Sequence, residues 1–190
     1  MSVGGGRYGQ PVESYAALLR GIMPTNPNMR NEKLRGVFEG LGFEKVASVL
    51  TSGNVVFRTA DDPADLEARI QQALNAELGI PGGTIIRSRP ELRALLDRDP
   101  FEGLPHERGS YLTVTFFKAK MREADTKAFD DDPLTRVIGY DRKARAFLTV
   151  LDNSTGTTPD LMARLEKTYG KDITTRTWLT VQRVVKKMEA

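Results

Sequence analysis

Asp62-Pro63-Ala64-Asp65-Leu66-Glu67-Ala68-Arg69-Ile70, running on to Gly79, is the stretch that decides the fold, because its punctuation returns at Thr158-Pro159 and closes again at Gly170. A capping side chain, a proline at the first helical position and a glycine just past the end supply what helix termini physically need. Each copy is preceded by two strand-like runs and followed by a short β-branched run. The doubled mark predicts two similarly built halves.

Working outward from the first mark, Tyr15 to Arg20 reads as a strand apolar on both faces, followed by the turn-rich Gly21-Ile22-Met23-Pro24-Thr25-Asn26-Pro27-Asn28. Leu34, Val37, Phe38 and Leu41 recur at helical spacing, with Asn28 or Asn31 as the expected cap. Val46 to Thr51 and Asn54 to Thr59 flank Ser52-Gly53 as a hairpin, and Thr84 to Arg87 closes the half as a strand. Around the second mark, Tyr111 to Phe117 alternates as a strand and Met121 to Phe129 is a weak helix. Leu134 to Ile138 and Ala144 to Leu151 make a hairpin, and Ile173 to Thr175 is a last strand. Both halves read β-α-β-β-α-β. The fold class predicted is therefore α+β, two tandem ferredoxin-like units plus a C-terminal amphipathic helix marked by Trp178, Val181, Val185 and Met188. The expected boundaries are a flexible tail at 1–13, a first unit at 14–89, a linker with a short helix at 90–109, a second unit at 110–176 and the helix at 177–190.

Composition narrows the function classes. The 190 residues include no cysteine and one histidine, His106, which excludes disulfides, thiolate metal sites and multi-histidine centres. Asp130-Asp131-Asp132 could recruit magnesium or be a solvated turn before Pro133. No metal and no cofactor is expected. Gly4, Gly6 and Gly9 formally satisfy G-x-G-x-x-G, yet no strand precedes them to feed a helix, so they read as part of the tail. With no apolar run of spanning length and no signal-peptide pattern at Met1 to Glu13, a soluble, cytoplasmic protein is expected, with no membrane partner and an open oligomeric state. Of the 28 basic and 25 acidic residues, five basic ones (Lys171, Arg176, Arg183, Lys186, Lys187) and two acidic ones (Asp172, Glu189) fall in the last twenty, so the whole net charge of +3 sits there. That end could serve an anionic partner or simply complement a helix dipole.

Leu18-Leu19-Arg20-Gly21-Ile22, Leu41-Gly42-Phe43, Ser52-Gly53-Asn54-Val55-Val56-Phe57 and Thr174-Thr175-Arg176-x-Trp178 together resemble the domain of unknown function 1697 family, in the right order and over nearly the whole chain. The resemblance implies two ferredoxin-like units and no established activity. It also marks departures: Gly21-Ile22-Met23-Pro24-Thr25 stands where the family commonly has a glycine-rich stretch, Thr177 stands for an asparagine before Trp178, and Leu179 for one after it.

Candidate sites follow from charge on buried-looking strands. Arg20 and Arg176 sit at loop mouths, where two guanidiniums could hold a carboxylate or phosphate, or could pair internally and fix the junction. With Ser52, Asn54, Thr175 and Trp178 they form the expected ligand site of a non-catalytic binding module for an anionic small molecule. A small-molecule enzyme using the same cleft is the alternative, although G-x-S-x-G, Walker A and an acid-base histidine pair are all absent and His106 lies in a loop. A third reading takes Tyr111, Arg145 and Phe147 as a single-stranded nucleic acid platform on the second sheet. Its competitor lays Trp178 and Val181 of the terminal helix over that face.

Overall fold

A computed structural model describes residues 10–190, so Gly4, Gly6, Gly9 and the tail before Gln10 lie outside the described residues. The first half runs β1 (Glu13–Leu19), a 3-10 turn (Pro27–Met29), α1 (Asn31–Gly40), β2 (Glu44–Ser48), β3 (Asn54–Thr59), α2 (Pro63–Leu78), β4 (Thr84–Ser88) and α3 (Arg89–Asp97). The second runs β5 (Tyr111–Phe117), a 3-10 segment (Glu123–Phe129), β6 (Thr135–Asp141), β7 (Ala146–Leu151), α4 (Leu161–Tyr169), β8 (Ile173–Thr177) and α5 (Trp178–Met188). Two four-stranded antiparallel sheets result, ordered β2-β3-β1-β4 and β6-β7-β5-β8.

The first punctuation mark works as read. Asp62 Oδ1 accepts the Ala64 N–H at 2.9 Å, Pro63 opens α2, and Gly79 takes the left-handed conformation (φ 66°, ψ 30°) that lets its N–H return to the Asn75 carbonyl. Leu66, Ile70 and Leu74 lie on the buried face, each worth about 1.5–3 kcal/mol of apolar burial. The second mark works differently. α4 opens at Leu161, two residues past Pro159, with no side-chain cap, and Thr158 is exposed. At α1 the expected caps are also corrected: Asn26, not Asn28 or Asn31, accepts a backbone N–H, and it caps the 3-10 turn. Asn31 instead donates to the Leu50 carbonyl at 2.7 Å, and α1 begins after Arg30 without a side-chain cap.

The expected linker helix turns out to belong to the repeat. α3 follows β4 without a break, as α5 follows β8. Ser88 caps α3 in a capping box with Glu91, and Thr177 caps α5 through the Thr180 N–H. The duplicated unit therefore includes a third helix. That helix settles the packing, because α3 and α5 share one core with the inner faces of both sheets: Ala16, Leu18 and Val56 from the first, Leu112, Val114, Phe116 and Leu148 from the second. The outer face of the first sheet packs on α1 and α2 through Tyr15, Phe38, Phe57 and Ile70.

The outer face of the second sheet was expected to lie under Trp178 and Val181. It is covered instead by α4 and the 123–129 segment, where Phe147, Phe129, Leu161 and Leu165 form a separate core. The reason is directional. α5 turns back from β8 onto the Leu112–Val114–Phe116 face, which is the one facing the other half. No helix among the described residues is long and apolar enough to cross a membrane.

Candidate functional site

Four of the residues singled out in the sequence converge where the halves meet. Arg176 is 8% exposed. Its Nε donates to Asn54 Oδ1 at 2.6 Å, one terminal nitrogen donates to Thr174 Oγ1 and the Thr175 carbonyl, and the other donates to the Leu19, Ser52 and Gly53 carbonyls. All five guanidinium N–H groups are engaged. Asn54 is held in turn, donating to the Val49 carbonyl and Ser52 Oγ, each at 2.9 Å. Gly53 has φ 84°, and a Cβ there would stand 2.5 Å from Ile22 Cγ1, so the turn tolerates no side chain. Ser52, Asn54, Thr175 and Arg176 thus form an internal latch in which every guanidinium donor of Arg176 and both amide donors of Asn54 are spent within the protein. Arg20 donates to the Ile173 carbonyl at 3.0 Å and pairs with Glu166 on α4, another tie between halves. Trp178 is a core residue, edge-on to Phe101.

The nucleic acid platform does not form. Phe147 is 0% exposed beneath Phe129, Tyr111 is half-buried against His106, and Arg145 donates to the Lys118 carbonyl. His106 is a structural tie, its Nδ1 accepting the Leu112 N–H at 3.1 Å. Asp132 caps a turn through Leu134 and Thr135, Asp131 pairs with Arg164, and no cluster suited to a metal ion occurs among the described residues.

The latch has a counterpart that sequence reasoning missed. Arg87 on β4 stands opposite Ala16 just as Arg176 on β8 stands opposite Val114. Arg87 is 0% exposed and reaches into the other half, donating to the Ala144 and Phe117 carbonyls at 2.7 and 2.5 Å and lying over the Phe116 ring. Burial pushes both guanidiniums down to about 10, so each stays charged at neutral pH. Aligning Thr84-Ile85-Ile86-Arg87-Ser88 with Ile173-Thr174-Thr175-Arg176-Thr177 was the signal available for it.

Beside Arg87 opens a cleft of about 630 Å³ whose lining includes Glu13, Tyr15, Glu67, Glu91 and Arg145. Each glutamate has one carboxylate oxygen fixed by a backbone N–H, from Ser14, Ile86 and Ser88 respectively. The nearest cations stand off, with Arg89, Lys118 and Arg145 at 3.8, 3.9 and 3.8 Å from Glu13, Glu67 and Glu91. Tyr15 is 7% exposed with its ring against Phe57, and among the described residues nothing hydrogen-bonds its hydroxyl. Burial, then Glu13, Glu91 and Asp62, push that phenol above its ordinary range.

The sequence profile of a family of proteins of unknown function, DUF1697, matches residues 12–140. The chain belongs to the DUF1697 family. No curated protein matches it. Its fold is similar to that of a solved structure, the conserved bacterial protein SP0830 from Streptococcus pneumoniae, with a TM-score of 0.70 at 20% identity over 93% of this chain and 99% of that one. The DUF1697 match takes in the whole first half, hence Glu13, Tyr15, Glu67, Glu91 and Arg87, and stops short of Arg145 and Arg176. Gly21-Ile22-Met23-Pro24-Thr25 lies in the loop after β1, outside the cleft lining.

Proposed function

We propose that this DUF1697 protein is a non-catalytic binding module, built from two ferredoxin-like units, whose small-molecule ligand occupies the Tyr15 cleft at the junction of the halves. The strand orders and the β-α-β-β-α-β sequence of the first half support the ferredoxin-like reading. The site moves from Arg20, tied to Ile173 and Glu166, and Arg176, whose donors are engaged, to a cleft lined by the first half and by Arg145 of the second.

One observation carries this reading: the duplication supplies its own control. By sheet register and helix cap, the cleft positions Glu13, Tyr15, Glu91 and Arg145 correspond to Tyr111, Thr113, Thr180 and Gly53 in the other copy. The same backbone is thus built once with Glu13, Glu91 and Arg145 and once with neutral residues at those three positions, while Glu67 has a charged counterpart in Glu166. A scaffold that folds with neutral residues at three of these positions does not need their charges, and the Tyr15 hydroxyl, which lines the cleft without a protein partner, offers a ligand a polar contact. A thermal-shift screen of small molecules on the parent protein and Tyr15→Phe tests it. A ligand whose stabilisation shrinks in Tyr15→Phe is the expected result; equal stabilisation of both proteins by every ligand found removes the cleft from consideration.

The anionic partner foreseen from the basic end has one observation in its favour. Arg183, Lys186 and Lys187 line a shallow hollow with Val49 and Leu50, and none of the three forms an ion pair among the described residues. Salt-dependent phosphate binding lost in Arg183→Gln supports that partner, and its absence rejects it.

A further inference from the structure

We infer that the Tyr15 cleft takes a small organic cation, an alkylamine or guanidine, which is received by the open carboxylate oxygens of Glu13, Glu67 and Glu91. The inference rests on the cleft being the ligand site and adds the ligand's chemistry. Three features of the lining carry it.

The carboxylates are oriented in advance. The backbone N–H of Ser14, Ile86 or Ser88 holds one oxygen of each, fixing the rotamer, while the cations that approach them stay near 4 Å, beyond hydrogen-bond reach. An ammonium or guanidinium can therefore make the short charge-assisted bonds that the protein's own cations do not make. Of the residues that line the cleft itself, three are glutamates and one, Arg145, is a cation, while Arg89 and Lys118 approach Glu13 and Glu67 from outside the lining. After burial, the charges of Glu13, Glu91 and Asp62 raise the Tyr15 phenol above its ordinary range. Finally, the unpaired phenol beside the carboxylates offers a polar contact, and its ring an apolar wall for a short methylene chain.

The competing explanation is that Glu67 and Glu91 are there to offset buried Arg87, which does feel both of them. Arg176 answers it. That arginine is buried in the same position of the other half, and burial alone moves its pKa, with no carboxylate contributing. Carbonyls, Asn54 and Thr174 suffice to hold a guanidinium there, so the buried arginine does not by itself require carboxylates, and the second oxygen of each glutamate is left beyond what its backbone N–H bond uses.

Agmatine and putrescine are suitable probes, with succinate and inorganic phosphate as anionic counterparts, each followed by thermal shift on the parent protein, Glu67→Gln, Tyr15→Phe and Arg145→Gln. An amine at about a hundredfold over its Kd should raise the parent's Tm by about 5–10 °C, and Glu67→Gln should weaken it by at least about tenfold. Glutamine keeps the acceptor for the Ile86 N–H, so folding is preserved. If an anion binds instead, in a manner that depends on Tyr15 and Arg145, the cleft stands as the site and the cationic ligand is overturned. If no probe's effect depends on any of the three residues, both are overturned.

Discussion

Arg87 and Arg176 are each the fourth residue of the last strand in their half, and each crosses the junction to donate to backbone carbonyls of the other half: Arg87 to Ala144 and Phe117, Arg176 to Leu19, Ser52 and Gly53. The arrangement is reciprocal down to the equivalent acceptors, Leu19 ending β1 and Phe117 ending β5. A second reciprocal pair flanks it, Arg20 with Glu166 and Lys118 with Glu67. Exposed pairs of this kind contribute little, so the buried arginines hold the junction.

Arg176→Met leaves Asn54 Oδ1 and a cluster of buried carbonyls without donors, and should lower unfolding free energy by about 2–4 kcal/mol in urea titration. Arg87→Met should cost a similar amount. Arg176→Lys should not rescue, because an ammonium brings three donors without the planar fork. Substituting exposed Arg30, which makes no cap bond, should stay within about 0.5 kcal/mol of the parent.

The two proline marks should separate under mutation. Asp62→Ala removes a capping bond and should cost about 1 kcal/mol, whereas Thr158→Ala touches no cap and should change stability by less than about 0.5 kcal/mol. Equal losses from both would mean that α4 is capped after all.

Tyr15 supplies a pH test. Its phenol ionises above the ordinary value of 10.0 in the folded protein, through burial and the negative charge of Glu13 and Glu91. The unfolded chain therefore loses this proton first as pH rises, and the stability contributed by the neutral phenol is fully present below pH 10 and lost above it. Glu13→Gln with Glu91→Gln should move the Tyr15 phenolate absorbance, taken as the difference from Tyr15→Phe, toward lower pH. An unmoved titration would place the carboxylates too far away to matter.

Much of the fold was legible because its signals are local: Asp62, Pro63 and Gly79 set α2, alternation set β5, and spacings of three and four set α5. The place of α3 was not, since a short helix after Ser88 looks like a connector until Thr177 and α5 show the same construction. The covering of the second sheet was missed because sequence shows which stripe α5 must bury but not which of two apolar-bearing faces receives it. At the site, Ser52, Asn54, Thr175 and Arg176 lie together, and only three-dimensional donor accounting reveals that the guanidinium of Arg176 is spent on backbone carbonyls, Asn54 and Thr174. Tyr15 was counted as one more apolar strand residue. Its hydroxyl matters only because Glu13 from the same strand, Glu67 from α2 and Glu91 from α3 are brought beside it.

The most direct measurement is urea unfolding of the Glu67→Gln/Glu91→Gln double variant with and without millimolar agmatine. If these carboxylates serve a ligand and not the fold, the variant without agmatine should match the parent within about 0.5 kcal/mol, and agmatine should stabilise the parent alone. A loss of about 2 kcal/mol or more without agmatine would show that the carboxylates are needed to hold Arg87, and would contradict the cleft as a site kept for a ligand.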